Sequence, residues 1–194
     1  TPNGKAQHVK GFLQRFARTA QKSADILNDI ARLGIPMIGT DPALVLCYRD
    51  EYRQILGEKR GDFNVLLAHE WLDQVTSDRA DHQTHGEAWY LFPHCTESTA
   101  LPQSPARWKT IVSRFGAELQ TVNAGCCGMA GTYGHETKNL DNSLGIYALS
   151  WQPHLQKRAP QRCLATGYSC RSQVKRVEGQ AVRHPLQALL DIVS

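Results

Sequence analysis

Apolar positions early in the chain recur with a helical period. Val9, Phe12, Leu13, Phe16, Ala20, Leu27 and Ile30 fall largely on one stripe, which predicts an amphipathic helix over 8–33, stopped by Gly34. Residues 35–40 read as a short buried strand. Asp41-Pro42 then starts a helix that runs to about Leu56, because Asp can cap exposed amides and Pro fits a first turn. Residues 57–62 are a polar loop. Over 63–77 the apolar set Val65, Leu66, Ala68, Trp71 and Leu72 predicts another helix, and 78–86 a polar surface connection. Residues 88–92 are the clearest strand and end at Pro93-His94-Cys95. A helix from Ser104-Pro105 buries Trp108, Ile111, Val112 and Phe115. Strand 119–122 leads into Gly125-Cys126-Cys127-Gly128. Leu140, Leu144, Tyr147 and Trp151 mark a helix over about 136–152. Strand 164–166 ends near Cys170, and a last helix from Pro185 uses Leu186, Leu189, Leu190 and Val193.

Strands alternating with helices predict an α/β fold with a mostly parallel sheet flanked by helices. Ligands of such sheets bind beyond the carboxyl ends of the strands. The cysteines fall at those ends: strand 88–92 delivers Cys95, strand 119–122 delivers Cys126 and Cys127, and strand 164–166 delivers Cys170. A weak internal echo accompanies this pattern. Residues 34–52 run strand, turn, helix around Cys47, and 163–177 repeat that order around Cys170, as a duplicated unit would.

Composition narrows the class. The 194 residues are 41% apolar and 21% charged, an ordinary globular mix that allows one domain or two small ones. A net charge of +4 is too modest for a dedicated nucleic-acid module. The cations Lys157, Arg158, Arg162, Arg171, Lys175, Arg176 and Arg183 are opposed between 157 and 183 by Glu178 alone. They read as a solvated face or as a docking surface for an acidic partner. The longest apolar run, 43–48, is far short of the ~20 residues of a membrane span. Thr1–Lys5 shows no hydrophobic signal region, which predicts reduced thiols in the cytoplasm. A start without Met predicts a piece of something longer.

Six cysteines, at 47, 95, 126, 127, 163 and 170, point in that setting to metal or redox work. Adjacent side chains on an extended strand face opposite ways, so an adjacent pair reaches one zinc ion only through a tight turn. Gly125, Gly128 and Gly131 supply turning freedom. A multi-iron cluster relaxes the demand, because two sulfurs can bind different irons. Spacing favours a cluster and leaves a zinc site, inert thiols or a thiol-redox site open. A cysteine nucleophile with a His partner fits less well, since several thiols converge. Cys47 reads as a buried packing thiol. No dyad, triad or phosphate loop is visible: Asp50 and Glu51 sit beside Arg49 and Arg53 as a solvated face, and Gly128-Met-Ala-Gly131 is too short and lacks the Lys.

Residues 126–134, Cys-Cys-Gly-Met-Ala-Gly-Thr-Tyr-Gly, resemble the CCG cysteine-rich domain found in heterodisulfide reductase and in the iron–sulfur subunits of glycolate oxidase and anaerobic glycerol-3-phosphate dehydrogenase. Pro93-His94-Cys95 resembles that family's first cysteine, and 168–173, Tyr-Ser-Cys-Arg-Ser-Gln, its last. Asp41-Pro42-Ala43-Leu44 with 48–52 looks like the end of a preceding repeat, so the likeness covers about 35–194. The likeness is nearest to the C-terminal region of large single-chain FAD-linked oxidases of the bacterial D-2-hydroxyglutarate dehydrogenase type. It divides the chain into 1–60, the end of a first degenerate repeat; 61–86, a helix and connection; and 87–194, the cysteine-rich repeat. Two departures stand out. The family often closes with Cys-x-x-Cys, and here Gly167 holds the earlier position; it often has Cys where this chain has Leu44.

The resemblance implies an iron–sulfur electron-transfer module with a [4Fe-4S]-type cluster on Cys95, Cys126, Cys127 and Cys170, with Cys163 as second choice. It implies FAD in another domain of the same polypeptide, a quinone or carrier protein as electron acceptor, and no complete active site in this stretch. Gly125, Gly128 and Gly131 would let amides approach the sulfurs. His94 would hydrogen-bond a sulfur or replace a ligand, His135 would cap the next helix, and Arg171 would offset cluster charge. The setting would be cytoplasmic, with a peripheral seat at the inner membrane compatible. A zinc-binding interaction module and a thiol-redox domain are the rival readings.

Overall fold

The computed structural model describes residues 2–79, 86 and 88–193. The chain divides into two compact units, Thr1–Ala68 and His69–Ser194.

The first unit opens with α1 (Lys5–Val9) and α2 (Leu13–Arg32). The single helix expected over 8–33 is thus broken, because Gly11 takes a positive φ of 76° and turns the chain. Phe16, Ala20, Ser23 and Ala24 are the buried face of α2, whereas Val9, Phe12 and Leu13 are about half exposed. Strand β1 (Met37–Gly39) precedes α3 (Pro42–Arg49) and α4 (Glu51–Leu56), which meet at Asp50. The Asp41 carboxylate accepts the Leu44 N–H at 3.1 Å and caps α3 as its position predicts.

Residues 63–67 correct the expected helix over 63–77. Val65–Leu67 is strand β2, paired parallel with β1 in the register Met37↔Val65. A short apolar run suits either element, and here the available partner strand decides. Helix α5 (Ala68–Val75) follows directly. Arg60 is buried and satisfied: its guanidinium donates to the carbonyls of Tyr48, Gly61 and Phe63 at 2.8–3.0 Å and lies over the Phe63 ring. The connection expected over 78–86 falls mostly outside the described residues.

In the second unit β3 (Trp89–Phe92) is the centre of a parallel sheet ordered β4-β3-β5, with β4 Leu119–Thr121 and β5 Cys163–Ala165. The α/β expectation holds. Trp89 pairs with Leu119, and Tyr90 with Cys163. Helices α6 (Cys95–Ala100) and α7 (Ser104–Ser113) lie between β3 and β4. Helices α8 (Leu140–Ser150) and α9 (Gln152–Leu155) lie between β4 and β5. Helices α10 (Tyr168–Glu178) and α11 (Pro185–Val193) follow β5. Phe92, Val122, Met129, Tyr147, Trp151, Cys163, Ala165 and Val174 fill one core, in which the Phe92 and Trp151 rings are 4.9 Å apart.

Much of the late positive charge is taken up inside this unit. The guanidinium of Arg158 lies over the Tyr90 ring, and those of Arg162 and Arg183 over the Trp89 ring. Among the described residues no helix is long and apolar enough to cross a membrane.

The Asp41 cap offers a local check of the first unit. Asp41→Ala should lower its unfolding free energy by about 1 kcal/mol in urea titrations, and Asp41→Ser should restore most of that.

Candidate metal centre

Because β3, β4 and β5 run parallel, their carboxyl ends open on one edge. Past β3 the chain starts α6 with His94 as N-cap. The His94 Nδ1 accepts the Thr96 N–H at 3.2 Å, and Cys95 stands in the first turn. Past β4 comes a loop with left-handed backbone at Gly125 (φ 74°), Gly128 (φ 84°), Ala130 (φ 42°) and Gly131 (φ 67°). These turns let neighbouring Cys126 and Cys127 serve one site, which a flat strand forbids. Past β5, α10 carries Cys170 in its first turn.

Helix α8 and its C-cap pin the loop. Ser150 Oγ donates to the Cys126 carbonyl at 2.6 Å, Trp151 Nε1 to the Gly125 carbonyl at 3.1 Å, and Ser143 Oγ to the Gly128 carbonyl at 2.8 Å. Gln173 Nε2 in turn donates to Ser143 Oγ at 3.0 Å. At Gly128 a Cβ would stand 2.1 Å from the Ser143 carbonyl oxygen, so this glycine is required by space as well as by φ.

The four thiols form a chain of contacts in the order Cys95, Cys126, Cys127, Cys170. Hydrogen bonding from neighbouring Cys127 and Cys95 holds the pKa of Cys126 far below the usual thiol range. The Gly128 N–H, 3.3 Å away, and nearby His94 add to this, against the opposing effect of burial. Cys95 is pushed up, first by its hydrogen bond to Cys126 and then by burial. Cys127 is pushed up by hydrogen bonds to Cys126 and Cys170 and by burial. The group therefore holds one thiolate readily and resists further ionisation, because several thiolates in one partly buried place repel. A cationic centre would remove that resistance.

Cys95, Cys126, Cys127 and Cys170 are thus brought together. Cys163 is not: it lies in β5, fully buried in the core, with its thiol 3.5 Å from the Ala159 carbonyl and pushed by burial to about 11. Cys47 is buried in the first unit and pushed by burial to about 12. Among the described residues no group of three or more His, Cys, Asp or Glu is posed to grip a single metal ion. The donor set still fits an iron–sulfur cluster in kind. It offers four thiols from three loops, and backbone N–H groups of Thr96, Gly128 and Met129 reach Cys95, Cys126 and Cys127.

His94 is buried beside this group, with Nε2 3.4 Å from Ser169 Oγ. A Cβ at Gly167 would meet the His94 ring at 2.3 Å and the Cys170 sulfur at 3.2 Å, so the ring takes the space a side chain at 167 would need. Gly125 and Gly131 have open space in front of them and serve backbone direction only. His135 does not cap α8: it sits in a 3-10 turn with Nδ1 3.0 Å from Arg176, and the N-cap position of α8 is Asn139, which makes no side-chain cap hydrogen bond. Arg171 donates to the carbonyls of Ala165 and Thr166 at the end of β5. Sequence reasoning missed Ser143, Ser150, Gln173, Glu97 and Thr166. Apart from the Glu97–Ser104 pair, seven positions apart, the bonds by which they support the site span 15 to 72 positions, and no local spacing announces them.

Two outcomes follow. Gly128→Ala should cost at least about 2 kcal/mol in denaturant unfolding, clearly more than Gly131→Ala, which meets no atom. In reduced, metal-free protein, alkylation of Cys126 by iodoacetamide, followed by peptide mapping, should reach its plateau at a lower pH than that of an ordinary thiol such as free cysteine. A plateau at the same or a higher pH would remove the shared-thiolate arrangement.

No family model and no solved structure matches the chain. Curated relatives do. D-2-hydroxyglutarate dehydrogenase of Pantoea ananatis is 72% identical over 193 residues, covering 100% of this chain and 19% of that protein. Its Escherichia coli counterpart is 66% identical with the same coverage. One component of the anaerobic glycerol-3-phosphate dehydrogenase of Escherichia coli is 22% identical over 192 residues, covering 93% of this chain and 46% of that protein. Along its whole length the chain is homologous to D-2-hydroxyglutarate dehydrogenases, and it spans 19% of their length.

Proposed function

We propose that the chain is the C-terminal iron–sulfur electron-transfer module of a flavin-dependent 2-hydroxyacid dehydrogenase of the D-2-hydroxyglutarate kind. It would pass electrons from FAD, bound elsewhere in the same polypeptide, to a quinone or carrier protein. The observation that carries this reading is the meeting of four thiols at the carboxyl edge of one parallel sheet. Homology to dehydrogenases along the whole chain supports the redox setting.

Cys95, Cys126, Cys127 and Cys170 would hold the cluster. A [4Fe-4S] cluster bound there would accept and release electrons one at a time. The residues of the chain do the rest. The N–H groups of Thr96, Gly128 and Met129 stabilise negative charge on the sulfurs, which favours the reduced state. Trp151, Ser143 and Ser150 hold the 125–128 loop rigid, so little reorganisation accompanies a change of charge. Phe92, Met129 and Trp151 keep water from the inner side, while partly exposed Cys95 and Cys126 leave an outer side for an electron partner. In this reading the 2-hydroxyacid is oxidised at the flavin, in another part of the polypeptide. Residues 1–60 read as the end of a first, degenerate CCG repeat, with Leu44 half exposed on α3 where a thiol would stand and Cys47 buried as packing. The module would work in the cytoplasm or peripherally at the inner membrane.

Anaerobic expression tests this directly. The chain should purify brown with about four irons and about four acid-labile sulfides. Serine at 95, 126, 127 or 170 should abolish or sharply reduce iron and sulfide, while serine at 47 or 163 should leave both unchanged. One zinc without sulfide would replace the reading by a zinc module, and a colourless product after iron and sulfide reconstitution would sink it.

A further inference from the structure

Two residues after Cys95 stands Glu97, whose side chain is completely buried. A carboxyl group so placed is costly unless both oxygens are satisfied. Here they are. Ser104 Oγ donates to Glu97 Oε1 and Thr166 Oγ1 donates to Oε2. Buried His69 lies on the same side, with Nδ1 3.7 Å from Oε1 and 3.5 Å from the Ser104 hydroxyl. Thr166, also buried, accepts the His94 N–H at 2.9 Å while it donates to Glu97.

This network lies just past the end of the sheet. The β3–β5 pairing stops at Phe92↔Ala165. Beyond it the two chains diverge, one to His94 and Cys95, the other to Gly167 and Cys170. Thr166 belongs to the second and bonds to the first twice, through the His94 N–H and through Glu97. A side chain at Gly167 would crowd both the His94 ring and the Cys170 sulfur, so both border the same gap. Ser104, by contrast, ties Glu97 to α7, which carries neither Cys95 nor Cys170.

We propose that Glu97 and Thr166 form a buried clasp that sets the separation of the Cys95 and Cys170 sulfurs, and so act as positioning residues for the metal centre. The inference deepens the electron-transfer reading, yet it concerns thiol geometry and can be read with a simpler metal. The clasp has a direction: the Thr166 bond spans the two thiol-bearing loops, and the Ser104 bond does not.

The test is cadmium(II) titration of the reduced full chain, followed by its thiolate charge-transfer absorption, with unfolding measured on the same samples. Thr166→Val keeps the shape and removes the hydroxyl. It should weaken cadmium binding about tenfold, the size typical of residues that orient metal ligands. Thr166→Ser should restore binding to within about twofold of the unsubstituted chain. Ser104→Ala should destabilise the fold comparably but leave cadmium affinity within about twofold. Should Thr166→Val fail to fold, Glu97→Asp carries the test, because a carboxylate shortened by one carbon cannot reach both hydroxyls, and the same loss of affinity is expected. Equal losses in Thr166→Val and Ser104→Ala, or unchanged affinity in Thr166→Val or Glu97→Asp, would overturn the clasp. Iron and sulfide loading of the unsubstituted chain separates the two ideas. Failure to load with cadmium results as expected removes the cluster and keeps the clasp. Normal loading with indifferent variants keeps the cluster and removes the clasp.

Discussion

The parallel pairing of β3 with β4 on one side and β5 on the other is the constraint on which the thiol group depends. A parallel ladder points every strand the same way, so three loops distant in sequence must leave the sheet at one edge. An antiparallel neighbour would have sent one of them to the opposite end. The strands are short, three or four residues each. Their pairing is reinforced by a core of Phe92, Trp151, Tyr147 and Met129 and by side chains that continue to bond across the loops where the ladder stops.

The edge so built has an electrostatic character of its own. Cys126 takes hydrogen bonds from its neighbours and holds negative charge, while Cys95 and Cys127 are held protonated by the same contacts and by burial. Such a group is a hydrogen-bonded chain of thiols, and a bound cation would favour its thiolate forms. The surrounding polar groups are spent on holding backbone in place. Ser143, Ser150 and Trp151 bind carbonyls of the cysteine loop, and Arg171 binds those at the end of β5. Rigid support of this kind holds the two adjacent cysteines and the end of β5 in one geometry.

Several features were legible in the chain itself. Alternation of apolar runs with polar punctuation marked the strands at 89–92, 119–121 and 163–165 to within a residue or two, and the cysteines stood just past three of them. Asp41-Pro42 announced its helix through local capping chemistry alone. Gly125 and Gly128 beside the cysteine pair signalled a turning loop. Elsewhere local signals misled. The run 65–68 has no period that separates strand from helix, and the pairing of Val65 with Met37 decided it. Gly11 interrupts a stripe that would otherwise continue, and His135, expected to cap the next helix, turns instead to Arg176.

What the chain determined unaided was its set of elements and the placing of sulfur beside their ends, because capping, periodicity and glycine freedom act over a few neighbouring residues. Tertiary structure alone decided which sulfurs meet. Cys163 and Cys170 are seven positions apart, but one points into the core and the other into the thiol chain. The polar supports, from Glu97 to Thr166 and from Trp151 to Gly125, join positions 69 and 26 residues apart. Bonds over such separations follow from how layers pack, and packing leaves no period in a sequence.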